Sequence, residues 1–216
     1  MPSERACFEM VERIEHSLTV LHSSRAFYRE YLVLLDDNPR LRVNNHFLSW
    51  IADNYLYSAA MSLRRLLDRR SDTISIYKLF DALQSNSHLL TKANYMSRFL
   101  SDCSDSVLAD ICFASLAGSS VAEGLNLQTL RDQIGSVSEN WERMKDYIDE
   151  RIAHEARSPS GTLPTISDLD ICINMVTEVM KIIIAFMTCK SIMSFEPVIQ
   201  YPWREIFSFP WIEPPH

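Results

Sequence analysis

Trp141-Glu142-Arg143-Met144-Lys145-Asp146-Tyr147-Ile148-Asp149-Glu150-Arg151-Ile152-Ala153-His154-Glu155 is the stretch on which the fold turns. Trp141, Met144, Ile148 and Ile152 continue a stripe begun by Leu127, Leu130, Ile134 and Val137. Every step is three or four residues, the period of one buried helix face. The spacing predicts one long helix over 127–156. Arg143, Tyr147, Glu150, Arg151 and His154 recur at the same spacing on another side of it, gathering hydrogen-bonding groups beside a packed face.

Working outward, other segments repeat the pattern. A first helix is expected over 3–35, with Cys7, Val11, Ile14, Leu18 and Leu21 inward. It ends at Asp36-Asp37-Asn38-Pro39, because the residue before proline avoids the helical region. A second, over 43–70, carries one stripe of Leu48, Ala52, Leu56, Ala59, Leu63 and Leu67 and another of Phe47, Trp50, Tyr57 and Met61. Apolar on two sides, it is expected to be central. Shorter helices are expected over 74–84, 91–100 and 107–116. Residues 157–164 read as a loop. Ser167 with Asp170 resembles a capping box opening a final helix that runs to about 193. Five prolines with Trp203, Phe207, Phe209 and Trp211 mark 195–216 as an extended arm lying over the helices or a partner.

The totals agree with an all-α chain. The 216 residues (25.0 kDa) suffice for one domain with a substantial core. Only 4 glycines occur, few for a sheet with tight turns. A formal charge of -7 and pI near 5.4 oppose non-specific nucleic-acid binding, which needs a basic surface, but not a local basic site. Five scattered cysteines (Cys7, Cys103, Cys112, Cys172, Cys189) read as reduced core residues of a cytoplasmic protein. Glu4, Arg5, Glu9 and Glu12 interrupt the start, so no signal peptide is expected. The apolar run 171–193 contains Asn174, Glu178, Lys181 and Lys190, which makes it a core helix rather than a membrane span.

Two clusters can carry chemistry. His154 is either a surface histidine at a helix end, where imidazolium suits the negative pole, or a general acid/base. In the second reading Arg151 or another arginine neutralises charge on a phosphate. Metal-free RNA cleavage needs that set: a base for the 2'-hydroxyl, an acid for the leaving oxygen and a cation on the phosphate. One histidine per chain suffices if two chains face each other. The second cluster is Arg64, Arg65 and Asp68. Arg64 and Asp68, four apart, can pair on one face. As a solvated pair this contributes about 0–1 kcal/mol; beside a buried helix, the arginine needs a partner or an anion. His16, His22, His46, His88 and His216 lack metal-ligand spacing, so no metal and no cofactor are expected. No phosphate-cradling glycine loop or G-x-S-x-G elbow occurs.

Ser58-Ala59-Ala60-Met61-Ser62-Leu63-Arg64-Arg65-Leu66-Leu67-Asp68 resembles the first core helix of the AbiU-like abortive-infection branch of the HEPN superfamily, and Asp149-Glu150-Arg151-Ile152-Ala153-His154 resembles that branch's second motif. The resemblance implies an up-and-down helical bundle with its core at about 43–193, to which the sequence adds an N-terminal helix and an aromatic arm at 194–216. It also implies a homodimer and, in many members, a metal-independent RNase of toxin–antitoxin or phage-defence systems. The family's hallmark arginine precedes the histidine by four to six intervening residues, and here Tyr147, Ile148 and Asp149 fill those positions. The resemblance therefore carries over His154 and not that arginine. Arg64, Arg65 and Arg151 are the candidates to replace it, with Asp68, Tyr147 and Arg143 as binding residues. The alternative implied by members lacking the pair is a non-catalytic module that binds a nucleotide, a cognate antitoxin or another protein, with no membrane involved.

Overall fold

A computed structural model describes residues 2–39, 46–70, 72–136, 138–148, 165–198 and 202–207. Its helices are α1 (Glu4–Asp37), α2 (His46–Leu66), α3 (Ile76–Ser85), α4 (Lys92–Asp102), α5 (Ser106–Ala117), α6 (Leu127–Ser136), α7 (Ser138–Tyr147) and α8 (Ile166–Thr188). No strand occurs among the described residues. The fold is all-α.

Helix α8 is the centre, because its sequence leaves almost no polar side. Leu169, Cys172, Ile173, Val176, Val179, Met180, Ile183, Ile184, Phe186 and Met187 are all buried, against α1, α2, α4, α5, α6 and α7. By length and mean hydropathy (1.7) this helix could cross a membrane; its apolar surface is instead met by neighbouring helices. Burying each such side chain contributes about 1.5–3 kcal/mol. At the far end Phe186 joins Tyr95 (5.0 Å between ring centres) and Phe113 (6.1 Å), tying α8 to α4 and α5. Arg98 closes the same corner by donating to the carbonyls of Leu89 and Phe186, each at 3.1 Å.

Helix α1 follows its expected stripe: Cys7, Val11, Ile14, Leu18 and Leu21 are buried. Ser3 caps it, its Oγ accepting from the Ala6 N–H at 3.2 Å, and Asn38 ends it. The next turns of α1 bury polar groups against α8. Arg25 Nη1 donates to Asn174 Oδ1 at 2.7 Å and reaches Asp170 at 3.5 Å; Arg29 donates to Asp170 at 3.2 Å; His22 Nε2 lies 2.8 Å from Thr177 Oγ1. Residue numbers rise on α1 as they fall on α8, so the two helices are antiparallel. Tyr28 of α1 stacks on Tyr55 of α2 at 4.1 Å and 9°. Burial first, then the Asp170 carboxylate, push the Tyr55 phenol up to about 12.

The described parts of the C-terminal arm, 194–198 and 202–207, lie over α1. Phe195 is buried and stacks on His22 (5.6 Å), and Glu196 stands 3.9 Å from Arg25 and 3.8 Å from Arg29. Further on, Trp203 meets Phe27 edge-on at 5.5 Å and Arg204 pairs with Glu30.

Three expectations are corrected. The second helix ends at Leu66 rather than at 70, since the chain turns at Leu67; positions 43–45 lie outside the described residues. Its second stripe is largely exposed: Phe47 57%, Trp50 58% and Tyr57 43%. Being apolar on two sides did not place that side in the core, because α1 and α8 cover only the face of Tyr55, Ala59, Ala60, Leu63 and Leu66. The helix expected over 127–156 is helical at Leu127–Ser136 and at Ser138–Tyr147; position 137 and those from 149 to 156 lie outside the described residues. Its buried stripe survives in Leu130, Ile134, Met144 and Ile148. The capping box of α8 is Thr165 with Asp168, whose N–H donates to Thr165 Oγ1 at 3.1 Å while its carboxylate accepts from the Thr165 N–H at 2.8 Å. Asp170 serves the α1 arginines instead. The loop expected at 157–164 lies outside the described residues.

The His22 contacts fix its protonation. Thr177 already donates its one hydroxyl proton to the Ile173 carbonyl at 2.6 Å, so His22 Nε2–H must donate to Thr177, leaving Nδ1 to accept from Arg25 Nη2 at 3.3 Å. The imidazole is neutral. Burial first, then the Arg25 charge, push it from 6.5 down to about 4. The unfolded chain takes up this proton near pH 6.5 and the folded chain only near pH 4, so the stabilisation is full above that window and is lost as pH falls through it. Between about pH 7 and about pH 5, urea unfolding of the wild type should lose roughly 2 kcal/mol more than that of His22→Gln. Parallel pH curves for the two proteins would refute this protonation state.

Candidate functional site

The last turns of α2 hold their apolar and charged residues on opposite sides. Leu63, Leu66 and Leu67 are buried in the core, and the intervening positions turn Arg64, Arg65 and Asp68 outward. Across from them stands α7, with Met144 and Ile148 packed inward and Trp141, Glu142 and Lys145 facing α2. Between the two helices lies a cleft of about 660 Å³, lined by Met61, Arg64, Arg65, Leu67, Asp68, Arg69, Arg70, Trp141, Glu142 and Lys145.

Five of these side chains are cationic and two are carboxylates, in a chain whose formal charge is -7. Several are held in place. Arg69 lies over the Tyr77 ring at 4.5 Å and donates to its hydroxyl at 3.3 Å. Arg70 pairs with Asp72 at 2.9 Å, and this hydrogen bond is the main reason the exposed Asp72 carboxyl sits below its usual range. Lys145 stands 3.5 Å from Glu142. Asp68 Oδ1 accepts from the Arg70 backbone N–H at 3.0 Å, which fixes the turn that ends α2. Arg65 makes no hydrogen bond or ion pair among the described residues. Its guanidinium, with five donors in a planar fork, is the group best set to receive an anion.

Of the residues singled out in the sequence, Arg64, Arg65 and Asp68 line this one cleft. Arg143 and Tyr147 are positions of α7, the opposite wall, with side chains outside the description. Arg151 and His154 lie outside the described residues. Reasoning from the sequence missed Lys145 and the role of Trp141 as a wall. The signal was there: the two are four apart and so share a side of α7. The arrangement can bind a phosphate through guanidinium groups, with Met61, Leu67 and Trp141 supplying apolar surface beside it. Among the described residues no group of histidine, cysteine and carboxylate side chains could hold a metal ion.

A helical bundle with an arginine-tipped core helix facing the helix that precedes an arginine–histidine segment is the arrangement of a HEPN module. The model of the HEPN family AbiU2 matches residues 8–188, and the chain belongs to that family. No curated protein and no solved structure matches it.

The Asp68 contact separates two roles by measurement. If its purpose is to cap the turn, Asp68→Asn retains the acceptor and the stability, whereas Asp68→Ala loses about 1 kcal/mol in chemical unfolding. Equal destabilisation by both changes would make the negative charge, rather than the acceptor, the reason for Asp68.

Proposed function

We propose that this AbiU2-family protein acts in abortive infection as a metal-independent ribonuclease, with the α2–α7 cleft binding the RNA phosphate and His154 serving as general acid/base. The observation that carries the reading is Arg65, which has no partner among the described residues, in a cation-rich cleft whose opposite wall is the helix from which the chain continues to His154. In the reaction a base removes the 2'-hydroxyl proton, that oxygen attacks the adjacent phosphorus, and the bond to the 5'-oxygen breaks. An acid returns a proton to that leaving oxygen, giving a 2',3'-cyclic phosphate and a free 5'-hydroxyl. Arg65, with Arg64 and Arg151, replaces the motif arginine by stabilising charge on the non-bridging oxygens. A homodimer supplies a second histidine, so that base and acid come from two copies of the same residue.

The competing reading is a non-catalytic module for a protein partner such as a cognate antitoxin. Two observations favour it: Tyr147, Ile148 and Asp149 fill the positions of the hallmark arginine, and Phe47 and Trp50 stack on one another at 5.9 Å on an exposed face. Cleavage assays separate the two. Activity should persist in chelator and fall about 10²–10⁴-fold in His154→Ala, with a further reduction in Arg65→Ala. Light scattering should give twice 25.0 kDa. Equal phage protection by wild type and His154→Ala would transfer the case to the partner-binding module.

A further inference from the structure

We infer that the groove between α1 and the end of α2 is a second phosphate subsite, which takes the RNA backbone onward from the α2–α7 cleft; this rests on the RNA-directed reading above. The groove has a volume of about 310 Å³, and Arg65 lines both it and the cleft. From α1 it receives Arg13, His16, Ser17 and Val20. These fall at steps of three, one and three, a single face of α1 beside the buried stripe of Val11, Ile14 and Leu18. Although acidic residues outnumber basic ones 28 to 21 in the chain, no carboxylate among the described residues lines this groove. Nor do Arg13, His16 or Arg65 have a side-chain partner among the described residues. These three exposed side chains leave their donors available around one concavity, a setting that suits an anion with several acceptor oxygens.

The hydroxyls in the groove suit the sugar. Ser17 Oγ donates to the Arg13 carbonyl at 2.9 Å and Ser62 Oγ to the Ser58 carbonyl at 2.8 Å. Each serine proton is therefore engaged, and the oxygens remain as acceptors. A 2'-hydroxyl can donate to such an oxygen, and deoxyribose lacks that group. Cationic donors for phosphate and acceptor oxygens for ribose together fit single-stranded RNA. Arg65 at the junction holds the phosphate shared by the two compartments.

The test is anisotropy binding of a labelled, mixed-sequence single-stranded RNA to full-length protein carrying His154→Ala, over a series of salt concentrations. Adding Arg13→Gln and His16→Gln should weaken binding several-fold and reduce the slope of log affinity against log salt by about 0.7 for each phosphate no longer neutralised. Arg5→Gln, on the same helix but paired with Glu9 at 2.8 Å, should change neither. Adding Ser17→Ala should narrow the preference for RNA over DNA of the same sequence. Circular dichroism confirms that the exposed substitutions leave the helices intact. If the His154→Ala protein binds no RNA, the functional reading itself fails. If it binds, and the Arg13/His16 double change leaves both affinity and salt slope as they were, the groove is not a subsite and the cleft stands alone.

Discussion

A buried guanidinium needs acceptors, and Arg25 finds them only where α1 and α8 meet in one register. Asn174 and Asp170 receive it from α8, the neutral His22 ring from its own helix, and Glu196 approaches from the arm. A slide of one helical turn would leave a charge in the core without partners, at a cost of about 3–5 kcal/mol for a broken buried pair. The hydrophobic packing along α8 would tolerate such a slide far better, since one leucine stands in readily for another. The polar network therefore sets where α1 lies, and the Tyr28–Tyr55 stack passes that placement to α2. Those two helices carry Arg13 and Arg65. The position of the groove that Arg13 and Arg65 line follows from interactions on the other side of α1.

The stripe of α1 and the Leu130–Ile148 series were legible in the sequence at a spacing of three or four, and α8 as an apolar run, because each is a property of a local stretch of chain. The Arg25 network was not legible. His22 and Thr177 stand 155 positions apart, Arg25 and Asn174 stand 149 apart, and each alone resembles an ordinary polar position on an amphipathic helix. Only the fold shows that these residues face one another. A similar limit explains α2, where Phe47 and Trp50 express a tendency toward burial without naming what covers them. For the site, Arg64, Arg65 and Asp68 were within reach because they crowd one turn. Arg13 and His16 were not, because their relation to Arg65 exists only across two helices.

The groove, lined by no carboxylate among the described residues, sits in a molecule of net charge -7, and this balance sets how a polyanion of the proposed kind would reach it. At physiological salt the field of a surface charge fades over about 8 Å, so the attraction of Arg13 and Arg65 is confined to their immediate vicinity. Beyond that distance the overall charge resists approach. Such a surface does not draw nucleic acid from afar, and association proceeds without the acceleration that oppositely charged partners enjoy. Discrimination then falls to close fit and to the time a bound strand stays, rather than to the frequency of encounter. A protein of this kind can share a compartment with abundant nucleic acid and leave most of it unbound.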